Sequence, residues 1–122
     1  MQYASHIIFN TSETAVLTLS VARALSLPQR LRGLLGRPPP PKGCALLIGR
    51  CGSVHTLGMK YPLDLVFLDK NRRVTRVVQN VPPNRPFICG GLRAVSVLET
   101  SAGWLPPGLL RPGMEGQMGF EN

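Results

Sequence analysis

Cys51, Ser53, His55, Thr56, Met59 and Asp64 put a thiol, two hydroxyls, an imidazole, a thioether and a carboxylate into one short stretch of the chain. In an extended segment alternate side chains share a face, so Cys51, Ser53 and His55 line one side. Three kinds of chemistry use such groups. The first is nucleophilic catalysis, in which a cysteine thiolate attacks and His55 takes the proton. Residues four apart on a strand are separated by about 13 Å, so Cys89, brought in by the fold, suits His55 better than Cys51 does. A serine triad of Ser53, His55 and Asp64 lacks the G-x-S-x-G elbow that presents such a nucleophile. The second is a metal centre drawing on His55, Cys51 and Cys89, with Asp64 or Met59 as further ligands. Zinc sites announce themselves by C-x2-C or H-x3–5-H spacing, and neither occurs here, so no metal and no cofactor is expected. The third is ligand binding without bond making. His55 and Thr56 donate and accept hydrogen bonds, Met59 forms a soft apolar wall, and an arginine such as Arg32 or Arg85 grips an anion. The bland alternative is a half-buried His55 satisfied by main chain, with Asp64 tying down the turn at Tyr61-Pro62.

The elements that must position these groups are short. Leu17, Leu19 and Val21 alternate as in a half-buried strand. Ser26 can cap a helix, with Gln29 closing a capping box and Pro28 in the first turn. Leu27, Leu31, Leu34 and Leu35 would then form one apolar face, ended by Gly36. Four successive prolines, Pro38 to Pro41, make a stiff connector. Residues 44–48 read as a strand. The near-continuous apolar run of residues 63–68 reads as a central strand covered on both faces, with residues 73–78 returning as a hairpin partner. Further strands are expected at residues 94–99 and 117–120, with one helical turn near residues 106–111. Residues 1–12 are expected to be a loose arm or an edge strand. The whole describes one domain over residues 1–122, mainly β (α+β), a compact barrel or sandwich with one short helix in its N-terminal half.

Composition agrees with this architecture. Twelve Pro and thirteen Gly among 122 residues leave no room for long helices, and 43% hydrophobic with only 6% aromatic residues indicates an aliphatic core. The net charge is +8, and between Thr14 and Leu63 there are seven Lys or Arg and no acid. That field suits an anionic small molecule or an acidic protein surface. With Tyr61 as its sole aromatic residue, the basic half has no stacking platform for nucleic acid, and sequence-specific nucleic-acid recognition is not expected. No run reaches membrane-spanning length, residues 6–9 are too short for a secretory signal core, and three cysteines without framework spacing suggest reduced thiols. A cytoplasmic location is expected.

Four segments together resemble the DUF192 family, also called UPF0127. They are Arg32-Gly33-Leu34-Leu35-Gly36-Arg37, residues 53–59 around His55-Thr56, Pro62-Leu63-Asp64 through Asp69, and Val97-Leu98-Glu99 with Ala102-Gly103. The resemblance implies a compact, mainly β domain and no particular activity. The matching positions are Arg32, Gly33, His55, Thr56, Met59, Pro62, Asp64, Asp69, Glu99 and Gly103. Arg32, His55, Thr56 and Glu99 among them have no evident packing role. The chain departs from the Trp-Met-x-Asn-Thr form common in the family's central stretch, and has Gly113-Met114 where relatives tend to have Gly-Asp. A binding groove is therefore expected around His55, Thr56 and Met59, with Arg32, Asp64 and Glu99 contributing. The competing expectation is a hydrolytic or thiol-dependent enzyme using His55 with Cys89 or Cys51.

Overall fold

A computed structural model describes residues 1–11 and 14–120. The longest strands are β1 (Ser5–Thr11), β2 (Thr14–Ala24), β3 (Cys44–Gly49), β5 (Leu63–Leu68), β6 (Val74–Val81), β8 (Ser96–Ser101) and β9 (Gly116–Phe120). They form one sheet in the order β6-β5-β8-β3-β2-β1-β9. Every pairing is antiparallel except β2 with β3. That parallel step needs a crossover, supplied by the helix α1 (Leu27–Arg32) and the proline connector. β4 (Ser53–Val54) and β7 (Ile88–Cys89) make a small second sheet, Ser53 opposite Cys89. The large sheet curls until its edges meet, Val74 N–H donating to Met114 O and Gly116 N–H to Arg72 O. Those bonds make a seam, not a full ladder, and the domain is a sandwich-like open barrel.

Side-chain alternation explains the two cores. Along β5, Leu63, Leu65 and Phe67 enter one cluster with Leu46, Ile48, Val97 and Leu34. Val66 and Leu68 enter the other with Ile7, Phe9, Leu19, Val21 and Leu98. Every residue of β5 is buried, as the continuous apolar run requires of a strand covered on both faces. The first cluster is roofed by Leu34 in the turn after α1 and by Val54 and Ile88 of the β4–β7 layer, which places the site.

Several expectations change. The opening residues are neither loose arm nor edge: β1 lies between β2 and β9, held by both, while residue 12 falls outside the described residues. The helix starts as anticipated, Ser26 Oγ accepting from Gln29 N–H and the Gln29 side chain accepting from Ser26 N–H. It stops earlier, because Gly33 turns the backbone to φ 56°. The leucine stripe is consequently split. Leu27 and Leu31 are exposed while Leu34, beyond the helix, is buried. Residues 106–111 form turns and no helix. On β6, Thr75 donates its hydroxyl to Gly90 O and is partly covered.

Candidate functional site

Glu99 is the unusual residue of the first cluster. It sits on β8 with Leu46 directly across on β3 and Leu65 directly across on β5. A carboxyl between two leucines in the middle of a sheet loses its water, and Glu99 is only 4% exposed. Burial pushes its pKa up to about 7, against a smaller lowering by a hydrogen bond from Leu34 N–H. That bond, to Oε1 at 3.3 Å, is long. The turn after α1 carries the donor to the acid, and it can approach because residue 33 is glycine: a Cβ there would lie 2.7 Å from Glu99 Oε1.

Above Glu99 lies a cavity of about 180 Å³. Its walls are Leu34, Leu35, Ile48, Val54, Leu57 and Met59. Its polar lining comes from Arg30 and Arg32 on α1, Cys51, Ser53, His55 and Glu99. Arg32 Nε donates to Leu35 O at 2.8 Å, which folds the guanidinium over the turn at residues 33–36. His55 is exposed, and its Nδ1 accepts the Leu57 N–H at 3.1 Å, so the neutral ring carries its proton on Nε2. The Cys51 thiol donates to Ser53 O at 3.0 Å. Burial raises its pKa, the Ser53 backbone lowers it by less, and the Glu99 charge raises it further. This is the opposite of the environment that makes a thiolate nucleophile.

Of the residues singled out in the sequence, the fold therefore brings Arg32, His55, Met59, Glu99 and Cys51 around one cavity. Thr56 and Asp64 stand elsewhere. Thr56 is wholly buried and braces two loops: its hydroxyl donates to Pro82 O at 2.7 Å and accepts from Arg85 N–H at 2.9 Å. Asp64 lies on β5, where Oδ1 accepts from Asn80 N–H at 2.8 Å and holds that residue at φ 56° in the irregular β5–β6 pairing. Burial raises its pKa, the Asn80 bond opposing. Among the described residues Oδ2 has no hydrogen-bond partner, and the Gln79 amide, which donates to Leu105 O, lowers the pKa by a smaller amount than Asn80 does. Cys89 is exposed on β7, outside the cavity lining, and its sulfur accepts from Gly91 N–H. All three cysteines are free thiols. Among the described residues no three His, Cys, Asp or Glu side chains gather as a metal would require, and no helix is long and apolar enough to cross a membrane.

The residue that sequence reasoning undervalued is the α1 arginine Arg30, which lines the same cavity. Its place in a basic last helical turn was the available signal.

Comparison with known proteins adds the lineage. The model of the DUF192 family, described as "Uncharacterized ACR", matches residues 7–117. No curated protein matches the sequence. Two crystal structures share the fold. A protein of unknown function from Novosphingobium aromaticivorans DSM 12444 is 19% identical with a TM-score of 0.79, over 92% of this chain and 83% of that one. A Sinorhizobium meliloti 1021 protein described as a "putative transcription regulator" is 22% identical with a TM-score of 0.81, over 97% of this chain and 96% of that one. At these identities the likeness is one of fold alone.

Proposed function

Since the chain belongs to the DUF192 family, whose description assigns no activity, we propose a function from the cavity itself: the protein is a small-molecule-binding module, and its binding site is the space between α1, residues 51–59 and Glu99. The observation that carries this is the convergence of a buried carboxyl, an exposed histidine whose Nδ1 is held by Leu57 N–H, and two arginines on one apolar-walled cavity. Ligand sites characteristically combine a mostly apolar lining with a few convergent polar groups. A volume of about 180 Å³ suits a compact ligand. An engineered apolar cavity of about 150 Å³ already accepts benzene. The arginines favour a ligand with an anionic group at the mouth. Thr56 acts at one remove, by holding residues 56–59 against residues 82–85.

The test is a thermal-shift screen of small polar compounds on the wild type, His55→Ala and Glu99→Gln. A compound bound only by the folded form raises the melting temperature by mass action. Binding here is expected to be lost or weakened in both variants. Hits that bind all three forms alike would place the site elsewhere, and a library without hits would remove the reading.

A further inference from the structure

The cavity's polarity is graded from bottom to mouth. At the bottom, Glu99 accepts one long hydrogen bond from Leu34 and has no cation at ion-pair distance among the described residues; the ion pair found among them is Arg73 with Glu115, far along the chain. A carboxyl in that position lacks a charge partner, and isolated buried carboxylates are costly unless something neutralises them. Beside it lies hydrocarbon: Leu34 and Met59 are buried, and Leu35 and Leu57 carry the apolar wall out to the surface. At the mouth stand Arg30 and Arg32, in a segment free of acids from Thr14 to Leu63. Glu99 is the one acid of the lining.

From this grading, and resting on the cavity being a binding site, we propose that the ligand is a small zwitterion of the amino-acid class: an ammonium group seated on Glu99, a short aliphatic body between the leucines and Met59, and a carboxylate held at the mouth by Arg30 and Arg32. An ammonium supplies the missing partner of Glu99 and donates up to three hydrogen bonds where the protein supplies one. A plain amine leaves the arginines unanswered and is repelled by them. A plain carboxylate leaves Glu99 unpartnered.

The groups facing Glu99 determine how pH acts on binding. They are Arg30 and Arg32 from α1, Cys51 and His55 from residues 51–59, and Tyr61, whose hydroxyl feels the Glu99 charge. The flanking strands present Leu46, Ile48, Leu65 and Phe67. Glu99 must be ionised to receive an ammonium, so binding releases a proton at pH 6 and releases almost none at pH 8.5.

The experiment is isothermal titration at pH 8 with γ-aminobutyrate, shorter and longer ω-amino acids, α-amino acids, butylamine, butyrate and butanol, on the wild type, Glu99→Gln and Arg32→Gln. The best zwitterion is expected to bind more tightly than butylamine and butyrate by about tenfold or more, about 1.4 kcal/mol. Glu99→Gln should remove that binding, while Arg32→Gln should weaken the zwitterion and, by removing a repelling charge, leave butylamine bound at least as tightly as before. Binding of butyrate or butanol equal to that of the zwitterion, or zwitterion binding that survives Glu99→Gln, overturns the proposed class while keeping the cavity as a site. Failure of the whole panel also overturns the class; the broader thermal-shift screen then decides separately whether the cavity binds anything.

Discussion

Replacing Glu99 with glutamine keeps the shape of the side chain and removes its charge, and the effect on stability follows from burial alone. In the unfolded chain the carboxyl titrates near 4.5, and in the folded protein near 7. Below pH 4.5 both states hold the proton, so Glu99 contributes no pH dependence. Between pH 4.5 and 7 the unfolded state gives up its proton while the folded state keeps it, so stability falls as pH rises. Above pH 7 both are ionised and the full penalty stands. An interval of about two and a half pH units at 1.36 kcal/mol each amounts to about 3 kcal/mol. Glu99→Gln should therefore match the wild type near pH 4.5 and exceed it by about 3 kcal/mol at pH 8, on the order of 10 °C in melting temperature. Urea unfolding followed by Trp104 fluorescence across this range measures the difference, and contributions from the other acids cancel between the two proteins. Parallel stability curves, with a constant offset from pH 4.5 to 8.5, would show that water reaches Glu99 and that its flanking leucines do not desolvate it.

Three further substitutions probe the surroundings. Gly33→Ala forces a Cβ into the left-handed region and against Glu99 Oε1; a loss of about 1–3 kcal/mol is expected by denaturant unfolding, together with a Glu99 titration midpoint displaced from that of the wild type. Thr56→Val keeps the volume but strands Arg85 N–H and Pro82 O, which should cost about 2 kcal/mol; an unchanged midpoint would mean that water replaces the hydroxyl. His55→Ala removes an exposed ring, so its unfolding free energy should stay within about 1 kcal/mol of the wild type while ligand shifts in the thermal assay shrink. Severe unfolding would instead give His55 a structural role.

Much of the fold could be read directly from residue patterns, because its signals are local. The apolar run Leu63–Leu68 became the fully buried β5, and Ser26 with Gln29 closed the capping box. The helix face failed because a 3.6-residue stripe assumes that the helix continues through Leu35, whereas Gly33 breaks it and sends Leu34 inward alone. β1 was hidden because its burial depends on β9, more than a hundred residues away in sequence. The site is a mixed case. Arg32, His55 and Met59 fall together as nearby segments of chain, but what makes Glu99 unusual is its register opposite Leu46 and Leu65, a long-range fact no local pattern carries. Thr56, expected as a groove hydroxyl, is instead a buried tie between loops, since its partners Pro82 and Arg85 lie 26 and 29 residues downstream.

Methyl NMR of protein labelled at its four methionines reports on the cavity most directly, because Met59 lines it while Met114 and Met118 pack against the opposite core. Titration with the best-binding small molecule is expected to move the Met59 methyl resonance saturably, to leave Met114 and Met118 in place, and to do neither in Glu99→Gln. A Met59 signal that stays fixed while another methyl responds would contradict the assignment of the Glu99 cavity as the binding site.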